Sequence, residues 1–219
     1  AEEWYGTLHM ALGVDEFLAT TAAVLDRHDP QGRVGMVLDE WGTWYDVEPG
    51  TNPGFLYQQN TLRDALVAAA SVHVFHKHVP RLHMANIAQA VNVLQAMVLT
   101  DGPRMLLTPT YHVFEMFKVH QDGRRLPVEL NAPAVGPAHG TVPLVSAAAT
   151  LDGAGRVHLS LCNLSLDQPA DLKISFPGVP PRAVSGRLLT DDRHDGHNTF
   201  DRPNEVRPVP FSGAVLDGG

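Results

Sequence analysis

The feature of this 219-residue chain that most constrains its fold is a short apolar run at residues 34–38, which ends at two carboxylates, Asp39 and Glu40. Five residues are too few for a helix, and their unbroken apolar character predicts a strand buried on both faces, as in a parallel sheet. Asn60-Thr61 predicts the N-cap of an Ala-rich helix, and residues 82–88 predict a second strand. Strand, loop, helix and strand in this order indicate an α/β arrangement.

Helices are predicted on both sides of this unit. Apolar residues recur at helical spacing over residues 4–25, which predicts one helix, or two interrupted at Gly13. Residues 111–120 predict a last helix, whereas residues 91–99 fit either a helix or irregular structure. The first part of the chain is therefore rich in helices and has few strands.

The second part of the chain has a different character. Residues 122–140 are punctuated by proline and glycine and read as a linker. Short strands separated by turn residues are then predicted at 142–151, 157–161, 172–176, 184–190 and 206–211. Five strands at this spacing indicate an antiparallel β-sandwich, with a further strand expected where the chain stops at residues 216–219. We therefore divide the chain into an α/β part, 1–121, and an all-β part, 122–219.

Charge and composition exclude several function classes. The chain has 16 Lys and Arg against 24 Asp and Glu, a net charge of -8, and no basic run longer than Arg124-Arg125. A nucleic-acid or anionic-membrane partner is therefore not expected. No apolar stretch approaches the roughly 18 uninterrupted residues of a membrane span, and the first residues lack the features of a signal peptide. The single cysteine, Cys162, favours a cytoplasmic location.

Glu40 is the first candidate for chemistry, because the carboxyl ends of parallel strands are where α/β proteins build their active sites. Trp41, Trp44 and Tyr45 follow within five residues. Aromatic rings beside a carboxylate are typical of a sugar site, where the rings stack on the C–H face of the sugar. The alternative is structural, with Asp39 and Glu40 capping the following segment and the aromatic side chains packing. The residues alone leave both interpretations open.

Several blocks of this sequence, in order, closely resemble the α-L-arabinofuranosidases of glycoside hydrolase family 51. The blocks are VLDEWGTWY (37–45), EPGTNP (48–53), QNTLRDA (59–65), MANIAQ (84–89), VNVLQ (91–95) and LTPTYHVF (107–114). The resemblance is dense over residues 1–131 and looser beyond them. It implies a retaining hydrolase that releases terminal α-L-arabinofuranosyl groups from arabinan or arabinoxylan.

The resemblance also implies a fold and a set of site residues. The fold is the last two βα units of a (β/α)8 barrel followed by a β-sandwich that is incomplete. Glu40 falls on the catalytic nucleophile, Trp44 on an aromatic side chain that lines the sugar subsite, and Gln89 on a polar side chain that contacts the sugar or the nucleophile. No cofactor is implied, and members of the family are commonly homo-oligomers.

One part of the family pattern is missing. Retention requires two carboxyl groups about 5–5.5 Å apart, and the acid/base glutamate of the family lies in an Asn-Glu motif after the fourth barrel strand. The only Asn-Glu of this chain is Asn204-Glu205, in the all-β part, where the match is a coincidence. A (β/α)8 barrel also takes about 250 residues. The chain therefore resembles a C-terminal piece that is inactive alone and leaves apolar faces uncovered.

Three other groups of residues have side chains that could bind a metal or act as a nucleophile. Four histidines lie within eleven residues, at positions His73, His76, His78 and His83, and imidazole is a common metal ligand. The favoured interpretation is nevertheless that they are surface or capping histidines near the end of a helix. Cys162 lies in an apolar strand and reads as a core residue rather than a nucleophile. An acidic cluster, Asp191, Asp192 and Asp195, lacks the glycine and glutamate of a calcium loop and reads as a solvated turn.

Two other functions remain open beside hydrolysis. The chain would be a non-catalytic carbohydrate-binding or structural β-sandwich module that keeps a remnant of a barrel, and such a module would tolerate Glu40→Gln. Alternatively, the chain would have a purely structural role in assembly, in which its exposed apolar faces pair with a missing partner segment. Co-expression with an N-terminal segment that bears the Asn-Glu motif would restore activity only if the chain is one half of a split enzyme.

Overall fold

The computed structural model of the chain describes residues 1–178 and 181–216. Its α-helices are α1 (Glu2–His28), α2 (Leu62–Lys77) and α3 (Pro109–Phe117). Its strands are β1 (Met36–Trp41), β2 (Leu82–Ile87), β3 (Val98–Asp101), β4 (Arg104–Leu107), β5 (Arg124–Leu126), β6 (Ala134–Val135), β7 (Val142–Pro143), β8 (Val145–Leu151), β9 (Val157–Asn163), β10 (Gly186–Leu188) and β11 (Val209–Phe211). The strand predicted at the end of the chain falls mostly on residues 217–219, which lie outside the described residues.

The predicted helices are confirmed, and α1 is a single helix. It continues through Gly13, because Leu8 and Leu18 on either side are almost fully buried and this packing offsets the roughly 1 kcal/mol cost of a glycine within a helix. Helix α2 begins with a capping box. The Thr61 hydroxyl accepts the N–H of Arg63 at 3.3 Å, and the Asp64 carboxylate accepts the N–H of Thr61 at 2.7 Å.

Strands β1 and β2 are parallel, with α2 between them in the chain. Both strands were predicted, but β1 extends further, through Glu40 to Trp41, because its backbone pairs with β2 as far as Ile87. The prediction that residues 34–38 are buried on both faces is wrong. Met36 packs among side chains of α1 and α2 on one face, whereas Val37 is 51% exposed on the other. The sheet has two strands, and helices cover one face of it.

The segment after β2 is irregular and then forms a hairpin. Residues 91–99 fit a helix or irregular structure by sequence, and the structure shows an irregular segment that leads into β3. Strands β3 and β4 pair antiparallel across Gly102, which adopts a φ of +56°. The hairpin was not predicted, although Asp101-Gly102 is a turn signal of this kind.

Antiparallel strands dominate the second part of the chain. One sheet has the order β5-β8-β9, and β6-β7 and β10-β11 form two-stranded pairs. The predicted linker is therefore only partly a linker, because β5 lies within it and pairs with β8. The strand predicted at 172–176 is wrong. Leu172, Ile174 and Phe176 are exposed, and no described strand pairs with that segment.

The largest hydrophobic cluster joins the helices to strands of the second part. Trp4, Tyr5 and Leu8 of α1 pack in one cluster with Cys162 and Leu164. The Trp4 indole N–H donates to the Leu164 carbonyl at 3.0 Å. The division at residues 121 and 122 stays a prediction, and this shared core provides a test of it.

Apolar side chains are also exposed on the helical side of the molecule. Met10, Phe17 and Val24, seven residues apart on α1, all point away from the core. By length and mean hydropathy alone, 1.3 over its most apolar window, α1 is long and apolar enough to cross a membrane. Charged residues, among them Asp15 and Glu16, interrupt the apolar residues of α1, so no uninterrupted apolar run predicts this property. Four side chains of α1, including Leu8 and Leu18, are nevertheless buried against the rest of the protein.

Candidate functional site

Glu40 lies near the carboxyl end of β1, where the strand pairing is irregular. Strict alternation would direct Met36, Leu38 and Glu40 to the same face of the sheet. A register shift between Leu38 and Trp41 instead places Trp41 with Met36 and Leu38 in the core. Glu40 is exposed as a result. The irregularity therefore presents the carboxylate to solvent at the end of the strand rather than burying it.

Glu40 and Trp44 line one small cavity of about 170 Å³. The other residues that line it are Trp41, Gly42, Thr43, Ala88 and Leu94. Typical ligand pockets are about 300–1,000 Å³, so the cavity is smaller than a complete ligand pocket. The Trp44 side chain is 63% exposed. A carboxylate and an exposed indole thus meet at one surface.

Gln89 lies at the same edge of the sheet but outside this cavity. The N–H of Ala88, the preceding residue, donates to the carbonyl of Trp41 at 2.9 Å, which joins the ends of the two parallel strands. Gln89 is exposed, and its own N–H donates to Val93 at 3.4 Å. The structure therefore brings Glu40 and Trp44 together and places Gln89 one residue beyond the cavity wall.

The Glu40 carboxylate is free to act on a ligand. Among residues 1–178 and 181–216, no hydrogen bond or ion pair involves its oxygens. Glu205, the glutamate of the coincidental Asn-Glu motif, differs. Its carboxylate accepts hydrogen bonds from Arg193 at 3.1 Å and Arg202 at 3.2 Å. Glu205 therefore has a structural role as an ion-pair partner.

A buried polar cluster that sequence reasoning missed lies beneath the loop that carries Trp44. Its members, which we call the loop-anchor cluster, are Thr43, Gln58, Asp64 and Gln95, and each is at most 7% exposed. The Thr43 hydroxyl donates to Asp64 at 2.8 Å, and the Gln95 side-chain carbonyl accepts the Thr43 N–H at 2.8 Å. Burial raises the pKa of the Asp64 carboxyl above its ordinary value. Thr61-x-x-Asp64 is a capping-box pattern that could have indicated Asp64, but no pattern indicated Thr43 or Gln95.

Tyr45 follows Trp44 in the same loop, and its side chain is half-buried. Burial raises the pKa of the Tyr45 phenol to about 12, and the Arg63 guanidinium lies 4.6 Å from the centre of its ring. A phenol with this pKa keeps its proton throughout the physiological range. Tyr45 therefore serves as a neutral packing residue rather than as an acid or base.

The clustered histidines have varied structural roles. His78 is the C-cap of α2 and bonds Asp15 at 2.7 Å, and His83 is exposed, both as expected. The expectation of a surface residue is wrong for His73, which is 1% exposed because α2 packs on β8 and β9. No group of three or more metal-ligating side chains has a suitable arrangement within the described residues.

His73 and His120 form a histidine–serine network with three hydroxyl groups. His73 Nδ1 lies 2.8 Å from Ser146 Oγ, and His120 Nδ1 lies 2.8 Å from Thr150 Oγ1. Both Nε2 atoms lie 3.0 Å from Ser160 Oγ, which donates its own proton to the Ala148 carbonyl. Each Nε2–H then donates to Ser160, and each Nδ1 accepts a hydroxyl proton. The network is complete with both imidazoles neutral.

Cys162 and the acidic turn match their structural interpretations. Cys162 is buried in β9, and burial raises the pKa of its thiol to about 12, so the reactive thiolate is suppressed. Asp191 accepts the backbone N–H of Arg193 at 2.8 Å, a turn contact within the acidic segment. Neither feature competes with Glu40 as a candidate reacting group.

Comparison with known proteins assigns the family. Residues 39–219 match the family model described as the α-L-arabinofuranosidase C-terminal domain. An intracellular exo-α-L-arabinofuranosidase from Bacteroides ovatus is 44% identical over 219 residues, which are 100% of this chain and 43% of that protein. The crystal structure of a family 51 arabinofuranosidase from Xanthomonas axonopodis pv. citri superimposes with a TM-score of 0.96 at 47% identity, over 98% of this chain and 44% of that one. A family 51 α-L-arabinofuranosidase from Bifidobacterium longum gives a TM-score of 0.82 at 26% identity, over 97% and 45%.

The chain therefore belongs to the α-L-arabinofuranosidases of glycoside hydrolase family 51 and corresponds to their C-terminal portion. The resemblance found in the sequence blocks is confirmed. The chain spans less than half the length of each of these three relatives.

Proposed function

We propose that the chain carries the nucleophile half of a retaining, exo-acting α-L-arabinofuranosidase. The observation that carries the proposal is the position of Glu40 beside the exposed Trp44, on one cavity at the end of a parallel strand. Its carboxylate has no hydrogen-bond partner among the described residues. The relatives at 44% and 24% identity are both named exo-arabinofuranosidases. The substrate is a terminal α-L-arabinofuranosyl group on arabinan or arabinoxylan.

Each site residue has a chemical role in this proposal. Glu40 attacks the anomeric carbon and forms a covalent glycosyl-enzyme, which water then hydrolyses. Trp44 offers an apolar ring face to the C–H face of the furanose. Gln89, at the end of the neighbouring strand, donates or accepts a hydrogen bond at a sugar hydroxyl or at Glu40.

The same proposal explains the apolar surfaces. Residues 1–121 are the last two βα units of a (β/α)8 barrel, and residues 122–219 are its C-terminal β-sandwich. In a barrel, neighbouring strands cover both edges of the β1-β2 pair, and side chains of the other strands that fill the barrel interior cover the open face with Val37 and Met84. Val37 and Met84 are 51% and 55% exposed here, which is what two strands without those neighbours predict.

Retention also needs a second carboxyl group that protonates the leaving oxygen and later activates water. We place this acid/base glutamate in the part of the relatives that the chain does not span. The chain alone therefore attacks only glycosides whose leaving groups depart without protonation, and it is inactive on the natural polysaccharides.

A test isolates the nucleophile by intact-mass spectrometry. The chain is incubated with an aryl α-L-arabinofuranoside whose phenolate is a good leaving group, so that no acid catalyst is needed. A single pentosyl adduct is expected on the wild type and on Asp39→Asn, which removes the neighbouring exposed carboxylate. No adduct is expected on Glu40→Gln.

The other outcomes separate the alternatives. Steady turnover without an adduct would show that a second carboxyl group is present and contradict the half-site proposal. A folded chain that binds arabinose equally well before and after Glu40→Gln, and is never labelled, would favour a carbohydrate-binding module. Labelling that persists in Glu40→Gln would identify a different nucleophile.

The relatives also bear on location and assembly. The Bacteroides ovatus and Streptomyces lividans relatives are named intracellular, and we infer the same location for this protein, in agreement with its lone cysteine. Homo-oligomer formation by the full-length enzyme remains a prediction from the resemblance, for which size-exclusion chromatography with light scattering is the direct measurement.

A further inference from the structure

The loop that carries Trp44 has no regular structure, and side chains from elsewhere satisfy its backbone. The loop follows β1 and contains residues 42–45. On one side of Trp44, Gln95 accepts the N–H of Thr43 at 2.8 Å, and Gln58 donates to the Thr43 carbonyl at 3.3 Å. On the other side, Gln58 accepts the N–H of Tyr45 at 2.9 Å. Two side-chain amides therefore hold the backbone on both sides of Trp44.

These two amides are themselves fixed by buried partners. Gln95 is fully buried, and its N–H groups donate to the Asp64 carbonyl at 2.7 Å and to Thr110 at 3.2 Å. The second N–H of Gln58 donates to the Thr43 hydroxyl at 3.0 Å, and that hydroxyl donates to Asp64. All N–H groups of both amides thus have acceptors. Any other arrangement of the cluster would leave a buried donor without a hydrogen bond.

Asp64 ties the cluster to the start of α2. One of its oxygens accepts the Thr43 hydroxyl, and the other accepts the N–H of Thr61 in the capping box. The amino end of a helix stabilises a carboxylate at this position. The loop is therefore attached to a rigid helix rather than to another loop.

Gly42 lets the loop approach Gln95 closely. It adopts a φ of +136°, which L side chains rarely adopt, and a Cβ there would lie 3.1 Å from Gln95 Oε1. The approach brings the Thr43 N–H within hydrogen-bond distance of the same oxygen.

Trp44 itself is different from the residues on both sides of it. Thr43 is buried and Tyr45 is half-buried, but Trp44 is 63% exposed. An exposed indole has little packing of its own to define its position. Its position relative to Glu40 is therefore set by the backbone that carries it, and that backbone is set by the loop-anchor cluster.

We propose that Gln95, together with Thr43, Gln58 and Asp64, is a positioning residue that holds the Trp44 loop beside Glu40 and thereby pre-forms the sugar subsite. This inference rests on the proposed function for its chemical meaning. The anchoring itself can be measured without any activity. None of the four residues needs to touch the sugar to have this role.

The first test is 19F NMR of the chain labelled with 5-fluorotryptophan, which gives one resonance each for Trp4, Trp41 and Trp44. Trp44→Phe identifies the Trp44 resonance. Gln95→Met keeps the side-chain length and removes all three hydrogen bonds. We expect the Trp44 resonance to shift and change its linewidth in Gln95→Met, while the Trp4 resonance stays in place.

A matched control separates anchoring from general destabilisation. Asn198 is another buried amide with three hydrogen bonds, which join it to Leu107 and Val206 and not to the loop. Asn198→Leu should leave the Trp44 resonance unchanged. An unchanged resonance in Gln95→Met, or an equal change in both variants, would overturn the proposal. If Gln95→Met does not fold, Thr43→Val removes the two hydroxyl bonds with almost no change in shape and tests the cluster through its bonds to Asp64 and Gln58.

The second test measures the rate of labelling by the aryl arabinofuranoside. Misplacement of a substrate-contacting group by about 1 Å costs up to about a hundredfold in rate, so we expect labelling of Gln95→Met to be about ten- to a hundredfold slower, with Asn198→Leu close to wild type. A wild type that is never labelled would overturn the proposed function, while the NMR result would still decide whether the cluster anchors the loop. Labelling of Gln95→Met at the wild-type rate would overturn the positioning role.

Discussion

Replacement of Leu164 by alanine is expected to lower the free energy of unfolding by about 2–5 kcal/mol, as for other fully buried leucines. Leu164 is 0% exposed and packs in the cluster that contains Trp4 and Leu8. Its carbonyl accepts a hydrogen bond from the Trp4 indole N–H, and its own N–H donates to the Leu144 carbonyl at 2.8 Å. The alanine variant leaves a cavity where helix α1 meets the β-strands.

Urea unfolding followed by two signals measures this effect. Circular dichroism at 222 nm reports mainly on the helices, and tryptophan fluorescence reports partly on Trp4. Both midpoints should fall together in Leu164→Ala, because one core serves both parts of the chain. Leu161→Ala, on the exposed face of β9, should change the unfolding free energy by less than about 0.5 kcal/mol. A fall in the fluorescence midpoint alone would instead show that the contact between Trp4 and Leu164 is lost while the helices keep their stability, and would contradict a shared core.

The histidine–serine network should make the protein less stable in mild acid. Burial, with a smaller effect from His76 and His120, lowers the pKa of His73 from 6.5 to about 3. The unfolded chain takes up a proton near pH 6.5, whereas the folded protein does not until about pH 3. The contribution of His73 is therefore complete above pH 6.5 and is lost as the pH falls from 6.5 towards 3. The loss is about 2 kcal/mol between pH 6.5 and pH 5.

Chemical denaturation at a series of pH values tests this prediction. Between pH 6.5 and 4.5 the loss of stability in acid comes from the buried histidines. Asp15 and Asp29, whose hydrogen bonds lower their pKa below 3.8, change stability only in stronger acid, and Asp64, whose pKa burial raises, has an effect of the opposite sign. His73→Gln should reduce the slope of unfolding free energy against pH by about half, because burial also lowers the pKa of His120, to about 4, and that histidine keeps its share. His28→Gln, at an exposed position on α1, should keep the wild-type slope. An unchanged slope in His73→Gln would assign the acid sensitivity to another group.

The parts of the fold that depend on local sequence were predictable. The apolar period of α1, the N-cap of α2 and the short apolar runs of β1 and β2 each indicate their element within a few residues. The errors occur where long-range contacts decide. Residues 172–176 alternate like a strand but lack a described partner, and Val37 is exposed although its run reads as buried on both faces.

The candidate site likewise contains residues that local sequence indicates and residues that only long-range contacts reveal. Glu40 and Trp44 could be predicted, because a carboxylate at a strand end and a nearby aromatic residue are visible in sequence. The register shift that turns Trp41 into the core and Glu40 to solvent has no sequence signal. The same holds for Gln95, which lies 52 residues after its partner Thr43. A buried amide is recognised only when its hydrogen bonds are known.

The lengths of chain between these contacts have a consequence for the order of folding. The Thr43–Gln95 hydrogen bond closes 52 residues, whereas the Trp4–Leu164 hydrogen bond closes 160. The longer closure costs about 1 kcal/mol more in chain entropy, and it also requires β9 to be in place. Residues 36–95 can thus assemble the loop around Trp44 before the β-strands dock on α1. In a refolding experiment, burial of the Trp4 indole should be a late event that follows the ordering of the site.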